Sequence, residues 1–124
     1  MTPEDIIKIE KETNLKLPLH YIEVITNYPS ELLNCDAQDF GLWNSPDEVI
    51  EENNTVRKDG YYGEKWPDNY LIIGHNGCGD HYVTVLDGTH FSVGFSDHEE
   101  MRCTKYADSL EEFISKYLTE QEEI

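Results

Sequence analysis

Between residues 75 and 81 the chain reads His75-Asn76-Gly77-Cys78-Gly79-Asp80-His81, which places two imidazoles, a thiol and a carboxylate at close spacing. Those donor types suit zinc, but a structural zinc site needs four converging ligands, usually in two separated pairs. Cys103 and His98 are the remaining candidates for a second pair, and nothing in the sequence brings them to the first. No metal and no cofactor is therefore expected. Cys78, Asp80 and His81 are also the residue types of a nucleophile, an orienting acid and a base. Neighbours in one hairpin seldom converge on one substrate atom, so the chain is not expected to be an enzyme. The glycines make no phosphate cradle, because their spacing is not that of a P-loop, no lysine follows them and Asp80 would repel the anion.

A hairpin accounts for the same residues. Tyr70–Gly74 and His81–Leu86 are rich in Val, Ile, Tyr and Thr, as pleated, half-buried runs are. Leu71-Ile72-Ile73 is apolar on both faces, which predicts a central strand covered on two sides, with the hairpin at the middle of a sheet. Gly74, Gly77 and Gly79 allow the chain to reverse, and Asp80 is expected to accept hydrogen bonds from the turn's backbone amides.

The elements around this hairpin follow from caps and periodicity. Thr2-Pro3-Glu4-Asp5 predicts a helix start with Thr2 as N-cap, Pro3 in the first turn and Asp5 closing a capping box, and Asn14 is its C-cap. Leu17, Tyr21, Ile25 and Tyr28 recur at helical spacing, predicting a second helix with Pro18 in its first turn and Pro29 beyond its end. Residues 30 to 39 read as a loop, and Phe40–Trp43 as a short strand. Ser45-Pro46-Asp47-Glu48 opens a third helix, capped by Ser45 with Glu48 reaching back, whose inner face is Val49, Ile50, Asn53 and Val56. Asp87-Gly88 predicts a tight turn into a strand at His90–Ser96, and a further short strand is expected near Arg102–Lys105. Leu110, Phe113, Ile114, Tyr117 and Leu118 have the cleanest helical spacing in the chain, with residues 119–124 read as a frayed acidic tail. The expected fold is α+β, a single domain over residues 1–124 with a mixed, mostly antiparallel sheet and helices packed around it.

Composition narrows the partner classes. The 124 residues are 38% hydrophobic with two Trp, eight Tyr and four Phe, a globular composition. No apolar run approaches the ~20 residues of a membrane span, and the start lacks the features of a secretory signal. Three cysteines without paired spacing fit a reducing, cytoplasmic setting. Twenty-six acids against nine bases give a net charge of −17. This disfavours nucleic-acid phosphates and anionic membranes, and favours a basic partner or solubility alone.

Four pieces of the chain, in order, resemble the SUKH superfamily, which includes the yeast cell-wall regulator and many bacterial immunity proteins. They are Leu17-Pro18-x-x-Tyr21 after the first helix; Phe40–Trp43 with the capped helix from Ser45; Leu71–Gly74 with Gly77-x-Gly79-Asp80-x-Tyr82; and Val93–Glu99 leading to the closing helix. Leu17, Pro18, Tyr21, Trp66, Gly74, Gly77, Gly79 and Asp80 are read as the structural motif. The resemblance implies a non-catalytic interaction module, most often an immunity protein that neutralises a cognate toxin such as a nuclease; eukaryotic members are regulatory scaffolds. A third alternative is a small metal-binding protein using His75, Cys78 and His81. The stretch from Leu17 to Val56 holds eight acids and no Lys or Arg. A basic toxin is therefore expected to dock on residues 36 to 52, through Asp36, Asp39, Asp47, Glu48, Glu51 and Glu52, with Trp43 as an aromatic anchor.

Overall fold

The first helix is set by its ends. In the computed structural model, which describes residues 1–34, 40–61, 63–76, 80–86, 93–97 and 102–122, α1 spans Pro3–Thr13. The Thr2 hydroxyl accepts from the Asp5 amide while the Asp5 carboxylate accepts from the Thr2 amide, completing the capping box. Asn14 ends the helix in the left-handed region at φ 57°. α2 spans Leu19–Thr26, and Pro18 is its N-cap rather than a member of its first turn. Leu17, Tyr21 and Ile25 form the buried stripe, as their spacing predicts. Residues Ser30–Asn34 form a 3-10 turn where a loop was expected.

α3, Pro46–Asp59, starts at Ser45, whose hydroxyl accepts from the Glu48 amide. Val49, Asn53 and Val56 face inward. Four strands follow, β1 Tyr70–His75, β2 His81–Val85, β3 Val93–Asp97 and β4 Arg102–Ala107, and α4, Leu110–Glu122, closes the fold. The architecture is α+β, with an antiparallel sheet in the order β1-β2-β3-β4 and, among the described residues, four α-helices around it.

Three further expectations change. The hairpin pairs as predicted, but β1 lies at the edge of the sheet, not at its centre. Leu71, Ile72 and Ile73 are nevertheless fully buried, because α3 packs on the strand and residues 40–43 run along its free edge. Those residues form a turn rather than a strand, yet they bond to β1 at two points: Trp43 donates to the Ile73 carbonyl at 2.9 Å and His75 donates to the Phe40 carbonyl at 2.8 Å. The last helix continues to Glu122, and the Tyr106 hydroxyl donates to the Glu120 carboxylate at 2.7 Å, so this end is tied to β4. The turn expected at Asp87-Gly88 and the start of the strand at 90–92 lie outside the described residues.

Between the sheet and α4 sits an aromatic cluster in which the Tyr82 ring centre is 5.0 Å from Phe113, 5.2 Å from Tyr106 and 5.4 Å from Phe95. A second set, Tyr61, Trp66 and His81, packs near β2, with Tyr61 edge-on to Trp66 at 5.3 Å. Such contacts add stability beyond the area they bury.

Candidate functional site

The antiparallel register of β1 and β2 sets His75 directly opposite His81. Their rings join different aromatic sets. His75 meets Phe40 and Trp43 at 5.2 and 5.5 Å, whereas His81 meets Tyr61 and Trp66 at 5.1 and 6.2 Å. Cys78, Gly77 and Gly79 lie outside the described residues, so the His-x-x-Cys-x-x-His set is not placed as a unit. Among the described residues no three His, Cys, Asp or Glu side chains gather as a metal site would require.

Burial lowers the His81 pKa to about 4, His75 adds to the effect, and Asp80 opposes it. The ring is therefore neutral at pH 7, and its 3.7 Å approach to Glu52 is not an ion pair there. Its Nδ1 is buried with no hydrogen-bond partner among the described residues. Asp80 is buried, and its carboxylate accepts from the Asn76 side-chain amide at 2.9 Å. The Asn76 side-chain oxygen in turn accepts from the Asp80 backbone amide at 3.3 Å. The turn is thus closed at its base by a reciprocal Asn–Asp pair, in which the Asp80 carboxylate meets a side-chain amide; the backbone amides of 77–79, from which it was expected to accept, lie outside the described residues.

The acidic face of α3 is partly assembled as expected. Asp47, Glu48 and Glu51 are exposed, while Glu52 is half-buried beside His81. Lys8 of α1 reaches Asp47 at 2.8 Å, so a cation from outside the stretch enters this face. Trp43 does not belong to it. At 1% exposure it is among the largest fully buried side chains, and the backbone bond to Ile73 holds it inward, so it is a core residue and not a surface anchor. Asp36 and Asp39 lie outside the described residues.

The motif residues that are described have structural positions. Leu17, Pro18, Tyr21 and Trp66 are buried, and the Trp66 indole donates to the Tyr70 carbonyl at 3.1 Å. Gly74 is a close-approach position, since a Cβ there would lie 2.0 Å from the Gly41 carbonyl oxygen. Asn53 was placed on the inner face of α3 without a role. Fully buried, it donates to the Val49 and Ile72 carbonyls at 2.8 and 3.0 Å and accepts from the Ile72 amide at 2.9 Å. The signal for it was a polar residue on an otherwise apolar helical stripe.

Two cavities of about 550 Å³ open on the surface. One is lined by Tyr61, Trp66, Tyr70 and Cys103, and the other lies between α2 and α4.

The profile of the SMI1 / KNR4 family (SUKH-1) matches residues 1–116. The chain belongs to this family. No curated protein and no solved structure matches it significantly. The SUKH-1 match spans every described element up to the middle of α4, so it takes in the Leu17–Tyr21 entry, the β1–β2 hairpin and the acidic helix alike. No helix among the described residues of this SUKH-1 chain is long and apolar enough to cross a membrane.

Proposed function

We propose that this SUKH-1 chain is a non-catalytic interaction module that binds a basic protein toxin, such as a nuclease, and covers its phosphate-binding face. The observation that carries the reading is the charge of −17 on a member of this family. Inhibiting a nuclease without chemistry requires a surface that competes with nucleic-acid phosphates, and an acidic face does so while drawing the partner in over a long range. The solvent face of α3 supplies one such surface, with Asp47, Glu48 and Glu51 in its first two turns. Asp39 and Asp36 precede it in the chain and extend the proposed contact. Family membership alone would equally support a regulatory scaffold; the charge favours the toxin partner.

The test uses Asp47→Asn, Glu48→Gln and Glu51→Gln together, leaving Glu52 in place beside His81. Asp47 and Glu48 also lie in the first turn of α3, so the variant loses about 0.5–1 kcal/mol of helix-dipole stabilisation and is checked for folding first. Association with a basic nuclease toxin, sought among the products of the neighbouring genes, is then followed at low and at high salt. The expected result is an association rate lower by about tenfold at low salt and a flatter salt dependence. An unchanged rate and slope would move the interface off this helix.

A further inference from the structure

The groove between α2 and α4 is a second surface with its own chemistry. Val24, Leu110 and Ile114 line it, and Glu23, Asp108 and Glu111 stand exposed around it. Leu19, 68% exposed, lies one helical turn before Glu23 on the same side of α2 and extends the apolar surface outward.

The described cations nearby are committed elsewhere. Lys116 of α4 sits 4.0 Å over the Tyr106 ring and donates to the Tyr106 carbonyl, on the side of the helix that faces β4. Lys105 is bonded to Asp108, which leaves Glu23 and Glu111 to set the field at the rim. His20, which also lines the groove, is held below its ordinary pKa by burial and lies 3.0 Å from the Thr84 hydroxyl, so at pH 7 it adds no positive charge. The result is an apolar trough between two antagonistic demands: its floor needs aliphatic side chains, and its rim needs cations.

We propose that this groove docks a short cationic amphipathic helix of a partner protein, its Leu or Phe face on Val24, Leu110 and Ile114 and its Lys or Arg flanks on Glu23 and Glu111. The eight residues of α2 give a wall about 12 Å long, which matches about two turns of such a helix. Helix-in-groove recognition of this kind reads anchors at i, i+3 and i+4, the spacing at which α2 presents His20, Glu23 and Val24. The inference rests on the interaction-module reading for the sign of the partner's charge, but it uses no residue of α3.

The test is titration of the isotope-labelled protein with a synthetic Leu/Lys peptide of about 14 residues, patterned as an amphipathic helix, against a scrambled peptide of the same composition. The expected result is saturable amide shifts concentrated in 19–29 and 108–114, with affinity at least about fivefold above the scramble. Exchanging Glu23→Gln and Glu111→Gln, both exposed, should weaken binding and flatten its salt dependence. Ile114→Glu should abolish the preference for the patterned peptide, with its circular dichroism melt confirming that it is folded. Shifts confined to 46–52 would overturn the groove while leaving the acidic-helix interface standing. Equal affinity for the scramble would reduce the contact to bulk charge and overturn the groove, and an absence of shifts in 19–29 and 108–114 would overturn the groove while leaving the acidic-helix interface to its own test with the toxin.

Discussion

Asn53 shows how one polar side chain can hold an edge strand. Its amide spans the Ile72 carbonyl and amide, so it pairs with β1 much as a neighbouring strand would, from a helix. Replacing it with Leu keeps the volume but strands the buried Ile72 groups, and should cost about 2–4 kcal/mol. Urea denaturation measures this, and a loss below about 0.5 kcal/mol would show that water reaches the strand instead. His81 sets a pH dependence. Its folded pKa is about 4, against an ordinary value of 6.5, because burial disfavours the imidazolium. The unfolded chain thus binds more protons between those two values. The stabilisation is full above about pH 6.5 and is lost as pH falls towards 4, by about 3 kcal/mol at most. Protonation of the many carboxylates acts over part of the same range, so the informative quantity is the difference between wild type and His81→Phe. That difference should shrink steadily from pH 7 to pH 4. A difference independent of pH would mean that the ring titrates normally.

The segment 40–43 has the composition of a strand but folds as a turn, and the reason is physical. Phe40, Leu42 and Trp43 have the residue types of a strand, but Gly41 must pass over Tyr117, where a Cβ would come within 2.5 Å of the ring, and Gly74 must sit against the Gly41 carbonyl. Two glycines at a crossing point cannot be recognised as partners when they are far apart in sequence. The same crossing explains why an all-apolar run such as Leu71–Ile73 looked central: it is covered by the turn and by α3 instead of by a further strand. Elements defined by local rules were legible, namely α1 through its capping box, α3 through Ser45, and α4 through its period. The bulge between Ile72 and Gly74 was not, because it answers to that distant contact. Gly74→Ala should therefore cost about 2–4 kcal/mol, since the new methyl meets backbone atoms that cannot rotate away. It should also loosen residues 40–43 from β1 and expose an apolar strand edge. Thermal melts with light scattering test both effects, and an unaggregated variant of wild-type stability would contradict the close approach.

At the scale of the molecule, charge was readable from composition while its placement was not. The stretch 17–56 is free of Lys and Arg in sequence, yet folding brings Lys8 to Asp47, turns Glu52 towards His81 and buries Trp43, so three of the five described residues of the expected contact set change character. What survives is Glu48 and Glu51 on an exposed helix face, within a chain whose 26 acids far outnumber its nine bases. A surplus of that size repels itself in the compact state. At ~10 mM salt the screening length is ~30 Å, comparable to the whole molecule, whereas at ~150 mM it is ~8 Å and much of the repulsion is removed. The melting temperature should then rise by about 3–6 °C across that range, which corresponds to about 1 kcal/mol for a chain of this size. Local pairs such as Lys8–Asp47 and Lys105–Asp108 act in the opposite direction, but both are exposed and contribute little. Glu48→Gln with Glu51→Gln should melt higher than wild type at low salt and gain less from added salt. Calorimetry in sodium chloride reads both quantities, with sucrose as a control for excluded-solute effects. A melting temperature that stays level or falls as salt is added would mean that attraction between placed charges, and not the net surplus, governs the stability of this fold.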